Sequence, residues 1–137
     1  MICEFLKSKN LKLNIIICGK VKKDLSKYPY IKIIHNPLSY YENLKMVANS
    51  KILIDLHHEN LHNGLSFRIF ESLGYNKKII TTNKAVKNYD FYNTNNIHII
   101  DDEQELELFL NSDFITIDLR IKEKYSFTNW IKNILEI

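Results

Sequence analysis

Residues 51–83 read KILIDLHHENLHNGLSFRIFESLGYNKKIITTN, and this stretch decides the fold. An apolar run at 51–56 gives way to a polar loop, His57 to Asn63, then to Gly64 and a segment in which Leu65, Ile69 and Leu73 recur every four residues with Phe70 beside them. A second apolar run, KKIITT at 77–82, follows. Short continuous apolar runs read as strands covered on both faces, whereas a four-residue recurrence reads as one face of a helix. Strand, helix, strand in that order predicts a right-handed βαβ unit with parallel strands. Gly74 is expected to stop the helix.

The same pattern extends in both directions. Runs at 13–18 (LNIIIC), 31–34 (IKII) and 96–100 (NIHII) predict three more strands. Ser39-Tyr40-Tyr41-Glu42 has the form of a capping box, opening a helix whose apolar positions are Tyr40, Leu44, Val47 and Ala48. Asp101 or Asp102 is expected to cap an acidic helix through Leu110, with Leu106, Phe109 and Leu110 facing inward. Ser126 is expected to cap the most regular amphipathic segment, Phe127, Trp130, Ile131, Ile134 and Leu135. Glycine and proline are limited to Gly19, Gly64, Gly74, Pro29 and Pro37, with no linker or repeat, which predicts a single domain over 1–137. The expected fold is α/β, a doubly wound Rossmann-like parallel sheet of about five strands with helices on both faces.

Composition narrows the function. The chain has 137 residues, 45% of them hydrophobic, enough for a core, and a formal net charge of +3, too small and too scattered to imply a nucleic-acid partner. Cys3 and Cys18 are the only cysteines, which excludes a disulfide scaffold, suits a reducing compartment and makes both expected packing thiols. No apolar run approaches the roughly 20 residues that cross a bilayer. The start meets Glu4, Lys7 and Lys9 at once and leaves no signal-peptide core. These features predict a cytoplasmic domain.

In open α/β sheets, ligands sit beyond the carboxyl ends of strands, near helix starts. Cys18-Gly19-Lys20, His35-Asn36-Pro37-Leu38 and His57 through Gly64 occupy such positions. At the third, Gly64 would let the backbone come close to a ligand, and the amides of Leu65, Ser66 and Phe67 would meet an anion with the positive end of the helix dipole. Arg68 and Glu71, three residues apart, lie one turn further in. An arginine suits phosphate oxygens and a carboxylate suits vicinal ribose hydroxyls, so the set describes a nucleoside diphosphate site. The alternative is an Arg–Glu pair on an ordinary helix surface. Lys20, Lys22 and Lys23 either meet phosphate or form a solvated cluster, and the acidic run from Asp101 to Glu107 suits a helix start. His35 and His98 read as ordinary hydrogen-bonded histidines.

His58-Glu59-Asn60-Leu61-His62 matches H-E-x-x-H, in which two histidines one turn apart hold zinc and the glutamate activates water. That mechanism needs a continuous helix. Here a strand precedes the motif directly and Asn63-Gly64 interrupts it, so a zinc hydrolase is the remote alternative and a polar loop the simpler one.

The block GLSFRIFESLG followed by KKIITTN, with NYDFYNTNNIHIID after it and KYSFTNWIKNIL at the close, resembles the C-terminal lobe of GT-B glycosyltransferases. The likeness is greatest to bacterial enzymes of lipopolysaccharide, O-antigen and capsule synthesis. It implies a lobe that holds a sugar nucleotide without a metal or other cofactor, at the cytoplasmic side and in some cases peripheral to the inner membrane. By motif position the resemblance assigns Glu71 to the donor ribose, Gly64, Leu65 and Ser66 to the diphosphate or sugar, and Arg68 to phosphate. His35 to Leu38 would lie along the base, with Gly19 after the first strand. Asn63 stands where many relatives carry a glutamate that contacts the transferred sugar. The resemblance further implies a glycan or glycolipid acceptor and a separate N-terminal acceptor lobe that supplies the catalytic base, making this chain a fragment or one half of a split enzyme; nucleic acid is not an expected partner. A non-catalytic docking module with the same fold is the alternative function.

Overall fold

The computed structural model describes residues 2–56, 64–100 and 103–136. Five short strands follow the Ile-rich runs: β1 (Ile15–Cys18), β2 (Ile31–Ile34), β3 (Ile52–Asp55), β4 (Lys78–Thr81) and β5 (Ile97–Ile99). Every pairing among them is parallel, so the fold is α/β with parallel strands. They pair as two sheets, β1–β2 and β3–β4–β5. The chain likewise divides into two compact units, Met1–Asn43 and Leu44–Ile137, with the boundary inside helix α2 (Tyr40–Asn49). No helix among the described residues is long and apolar enough to cross a membrane.

In the first unit, β1 and β2 pair from Ile15↔Ile31 to Cys18↔Ile34. A short helix α1 (Ile2–Ser8), not expected from the pattern, buries Leu6. The expectation that these strands are covered on both faces is corrected: β1 is half-buried, and Lys32 and Ile33 of β2 are exposed. A parallel crossover normally carries a helix that covers a face, and residues 19–30 carry none. Cys18 is exposed rather than a packing thiol, with its sulfur 4.0 Å from the His35 carbonyl. Gly19 has φ +114°, where an L side chain is strained, and its amide donates to the Ile34 carbonyl at 3.0 Å. The capping box forms: the Glu42 amide donates to Ser39 Oγ at 3.2 Å and the Ser39 amide to Glu42 Oε2 at 2.9 Å.

The second unit holds the larger core. β4 lies between β3 and β5 and is buried along its length. Helix α3 (Phe67–Tyr75) packs Ile69 and Leu73 into a cluster with Val47, Leu53, Ile79, Val86, Phe91, Ile97 and Ile99. Of the apolar positions expected on α2, Val47 is buried while Tyr40 and Ala48 are exposed. The expected stop at Gly74 is also corrected. α3 continues to Tyr75, and Asn76 closes it at φ 53°, its amide donating to the Ser72 carbonyl. Asparagine tolerates that left-handed geometry, so no glycine is needed there.

Helix α4 (Glu103–Asn111) buries Leu106 and Phe109 as expected, while Asp101 and Asp102, its expected caps, lie outside the described residues. Buried Lys78 reaches the far end of α4, donating to the carbonyls of Phe109 and Ser112, the latter at 2.7 Å, and to Ser112 Oγ at 3.0 Å. A cation among the last carbonyls of a helix complements its dipole. A 3-10 turn (Lys84–Asn88) and helix α5 (Leu119–Lys124) are additional to the expected elements. Phe70, Phe91 and Tyr125 form a cluster with centroids 4.9–6.4 Å apart, fastened outside by Lys124 Nζ on Asp90 Oδ2 at 2.6 Å. In α6 (Phe127–Leu135), Ser126 Oγ caps the Asn129 amide at 3.1 Å as expected. Its apolar face is open to solvent, with Phe127 70% and Trp130 57% exposed and their rings stacked at 5.5 Å.

Candidate functional site

The carboxyl ends of β3 and β4 meet the start of α3 in a polar knot. β3 ends in Asp55, directly across from Thr81 at the end of β4. Asp55 is buried, and its two oxygens divide the work: Oδ1 accepts from Ser66 Oγ and Oδ2 from Thr81 Oγ1, each at 2.8 Å. Thr81 Oγ1 in turn accepts from the Asn83 amide at 3.0 Å. Asn83 Nδ2 donates to the Gly64 carbonyl at 3.0 Å, and its Oδ1 accepts from the Ala85 amide at 3.0 Å. Gly64 and Ser66 are thus held from the ends of β3 and β4, through buried Asp55, Thr81 and Asn83.

This wiring has a consequence for α3. Ser66 is the N-cap by backbone geometry, but its side chain accepts from no helix amide; its hydroxyl instead donates to Asp55. The first turn of α3 therefore lacks the cap that an N-cap side chain normally gives its amides. Gly64 is exposed, and a Cβ built there would meet no atom of the described residues within 4 Å.

One turn into α3, Arg68 Nη1 donates to Glu71 Oε2 at 2.8 Å. The pair is asymmetric: the Arg68 side chain is 33% exposed and that of Glu71 8%. The structure therefore brings the two together, but as a partly buried pair rather than on an open helix surface. The carboxylate sits inside and orients the guanidinium, whose outer part solvent reaches.

No family model, curated protein or solved structure matches this chain.

Of the residues singled out from sequence, Gly64, Leu65, Ser66, Arg68 and Glu71 are gathered at this one place in the second unit. Gly19, His35 and Leu38 belong to the first unit, where Gly19 and His35 both lie at the carboxyl end of the β1–β2 pair. Asn63 and the whole His58–His62 motif lie outside the described residues. Among the described residues no group of three or more His, Cys, Asp or Glu is placed to hold a metal. Asp55, Thr81 and Asn83 were not candidates. Their signal was present, since each is a polar residue at or just past the end of an Ile-rich run.

A separate hollow of about 350 Å³ lies along β5 and α4, with Lys87, Tyr92, His98, Glu105 and Phe109 among its walls. Burial, with Glu105 nearby, pushes the Tyr92 hydroxyl above its usual range. The His98 ring packs on Phe109 at 5.4 Å.

Proposed function

We propose that the chain is the donor-binding half of a sugar-nucleotide-dependent glycosyltransferase of bacterial surface-glycan assembly, working in the cytoplasm and peripheral to the inner membrane. The observation that carries this reading is the start of α3, where the N-cap Ser66 accepts from no helix amide and a Cβ on the neighbouring Gly64 would meet no described atom within 4 Å. That place suits the diphosphate, which meets backbone amides and the positive end of the helix dipole. Arg68 supplies the cation. Its exposed part faces phosphate oxygens while Glu71 fixes its direction, and the same carboxylate grips the ribose hydroxyls.

The chemistry follows from these parts. Transfer of a glycosyl group breaks the bond from the anomeric carbon to a diphosphate oxygen, and negative charge gathers on that leaving group. Amides and a guanidinium fixed beforehand stabilise the charge as it develops. The acceptor hydroxyl and the base that takes its proton are assigned to a separate lobe, with a glycan or glycolipid as acceptor. Nucleoside diphosphates test the reading, since binding to the folded state alone raises the melting temperature.

A second reading is a docking module with no catalytic part. The open apolar face of α6 favours it, since Phe127, Trp130, Ile131 and Ile134 follow the spacing by which a helix seats in a partner's groove. On that reading no nucleoside diphosphate stabilises the chain.

A further inference from the structure

Charge is divided unevenly along the chain. Residues 1–43 hold eight lysines against three acids, a net +5, whereas 44–137 carry eleven Lys and Arg against thirteen acids, a net −2. Four of the eight, Lys20, Lys22, Lys23 and Lys27, fall within the crossover from β1 to β2, and Lys32 follows on β2. All five are exposed, and none forms an ion pair among the described residues. The crossover's one acid, Asp24, accepts from the Ser26 amide at 2.9 Å and offsets only one of its four lysines, leaving residues 19–30 at a net +3.

The crossover itself is unusual. Residues 19–30 join two parallel strands with no helix, where such a crossover usually carries one. Between the lysines stand half-buried Val21 and Leu25, and exposed Tyr28 and Pro29 follow.

We infer that this lysine-rich crossover is the surface by which the chain docks on an anionic phospholipid bilayer. Unpaired ammonium groups on flexible stems are drawn to a diffuse negative surface, and the apolar side chains among them can enter the headgroup layer. Single-stranded nucleic acid is the poorer fit. Residues 1–43 contain no arginine, the residue suited to bidentate phosphate contact. Within the crossover, Tyr28 and Tyr30 pack edge to face on each other at 5.9 Å and the Lys7 ammonium lies 5.1 Å from the Tyr30 ring centre, so neither ring is presented as an open stacking platform.

The inference rests on the peripheral placement proposed above. The test is sedimentation of the full chain with phosphatidylcholine vesicles with and without about 30% phosphatidylglycerol, a lipid that gives the surface negative charge. Binding is expected only to the anionic vesicles, weakening as salt rises above about 0.1 M. Each Lys→Gln change at 20, 22, 23 or 27 is expected to weaken it about fivefold, and all four together on the order of several hundredfold. Equal binding to both vesicles, an unchanged Lys20→Gln/Lys22→Gln/Lys23→Gln/Lys27→Gln variant, or tighter binding to an RNA oligonucleotide than to anionic vesicles overturns the inference. The assay contains no nucleotide, so its failure leaves the donor site standing, and a failed nucleotide test leaves the vesicle result standing.

Discussion

Replacing Asp55 by alanine removes the acceptor that joins Ser66 to Thr81. Two hydroxyls at 2.8 Å lose their partner, one of them on fully buried Thr81. A hydrogen bond to a charged group contributes about 1.5–3 kcal/mol. Desolvation of the carboxylate offsets part of that sum, so the net loss is expected at about 2–4 kcal/mol. Ser66→Ala breaks only one of the two bonds and leaves Thr81 paired; its expected loss is about 1–2 kcal/mol. Urea unfolding followed by far-ultraviolet circular dichroism measures both variants, with the midpoint shift read at a common slope. In the double variant the Ser66 change should add almost nothing, because its partner is already gone. An Asp55→Ala loss no larger than that of Ser66→Ala, or full additivity in the double variant, refutes the knot as the device that holds Ser66.

Two glycines make a contrasting pair. Gly19→Ala places a side chain at φ +114° and is expected to destabilise by more than about 1 kcal/mol. Gly64→Ala meets open space, so its melting temperature should stay close to that of the parent while any stabilisation by a nucleotide falls. Asp90 gives a pH signature. The Lys124 ammonium, with Tyr125 second, holds its carboxyl below the ordinary 3.8. A folded-state value below the unfolded one adds stability that is present above about pH 4 and lost as pH falls through the folded value. The stability difference between the parent and Asp90→Asn should therefore shrink on acidification, as denaturant titrations between neutral and acid pH will show.

The strands were legible because each is a short Ile-rich run bounded by polar residues, and local composition settles that much. Their coverage was not, since it depends on what the crossover between β1 and β2 does. Lys20 to Tyr30 look like any connection until they are seen to form no helix. α1 and α5 are too short for their periodicity to stand out, and α6 shows the converse: its pattern is regular, but a pattern cannot say whether its apolar face meets a core. Asp55 and Thr81 lie 26 residues apart, so the bond between them belongs to the parallel register rather than to either segment. Arg68 and Glu71 were legible as neighbours from their spacing. Their unequal burial was not, because it depends on how α3 packs on β3 and β4.

The most direct test of the donor site is the melting temperature of the chain with UDP, GDP, ADP or CMP, repeated for Glu71→Gln. A ligand at about a hundred times its Kd adds about 2.7 kcal/mol of stability, several degrees for a chain of this size. At least one of the four should raise the melting temperature, and Glu71→Gln, which keeps the side-chain shape, should abolish most of the rise. No rise with any of the four, or an equal rise in the variant, contradicts the account.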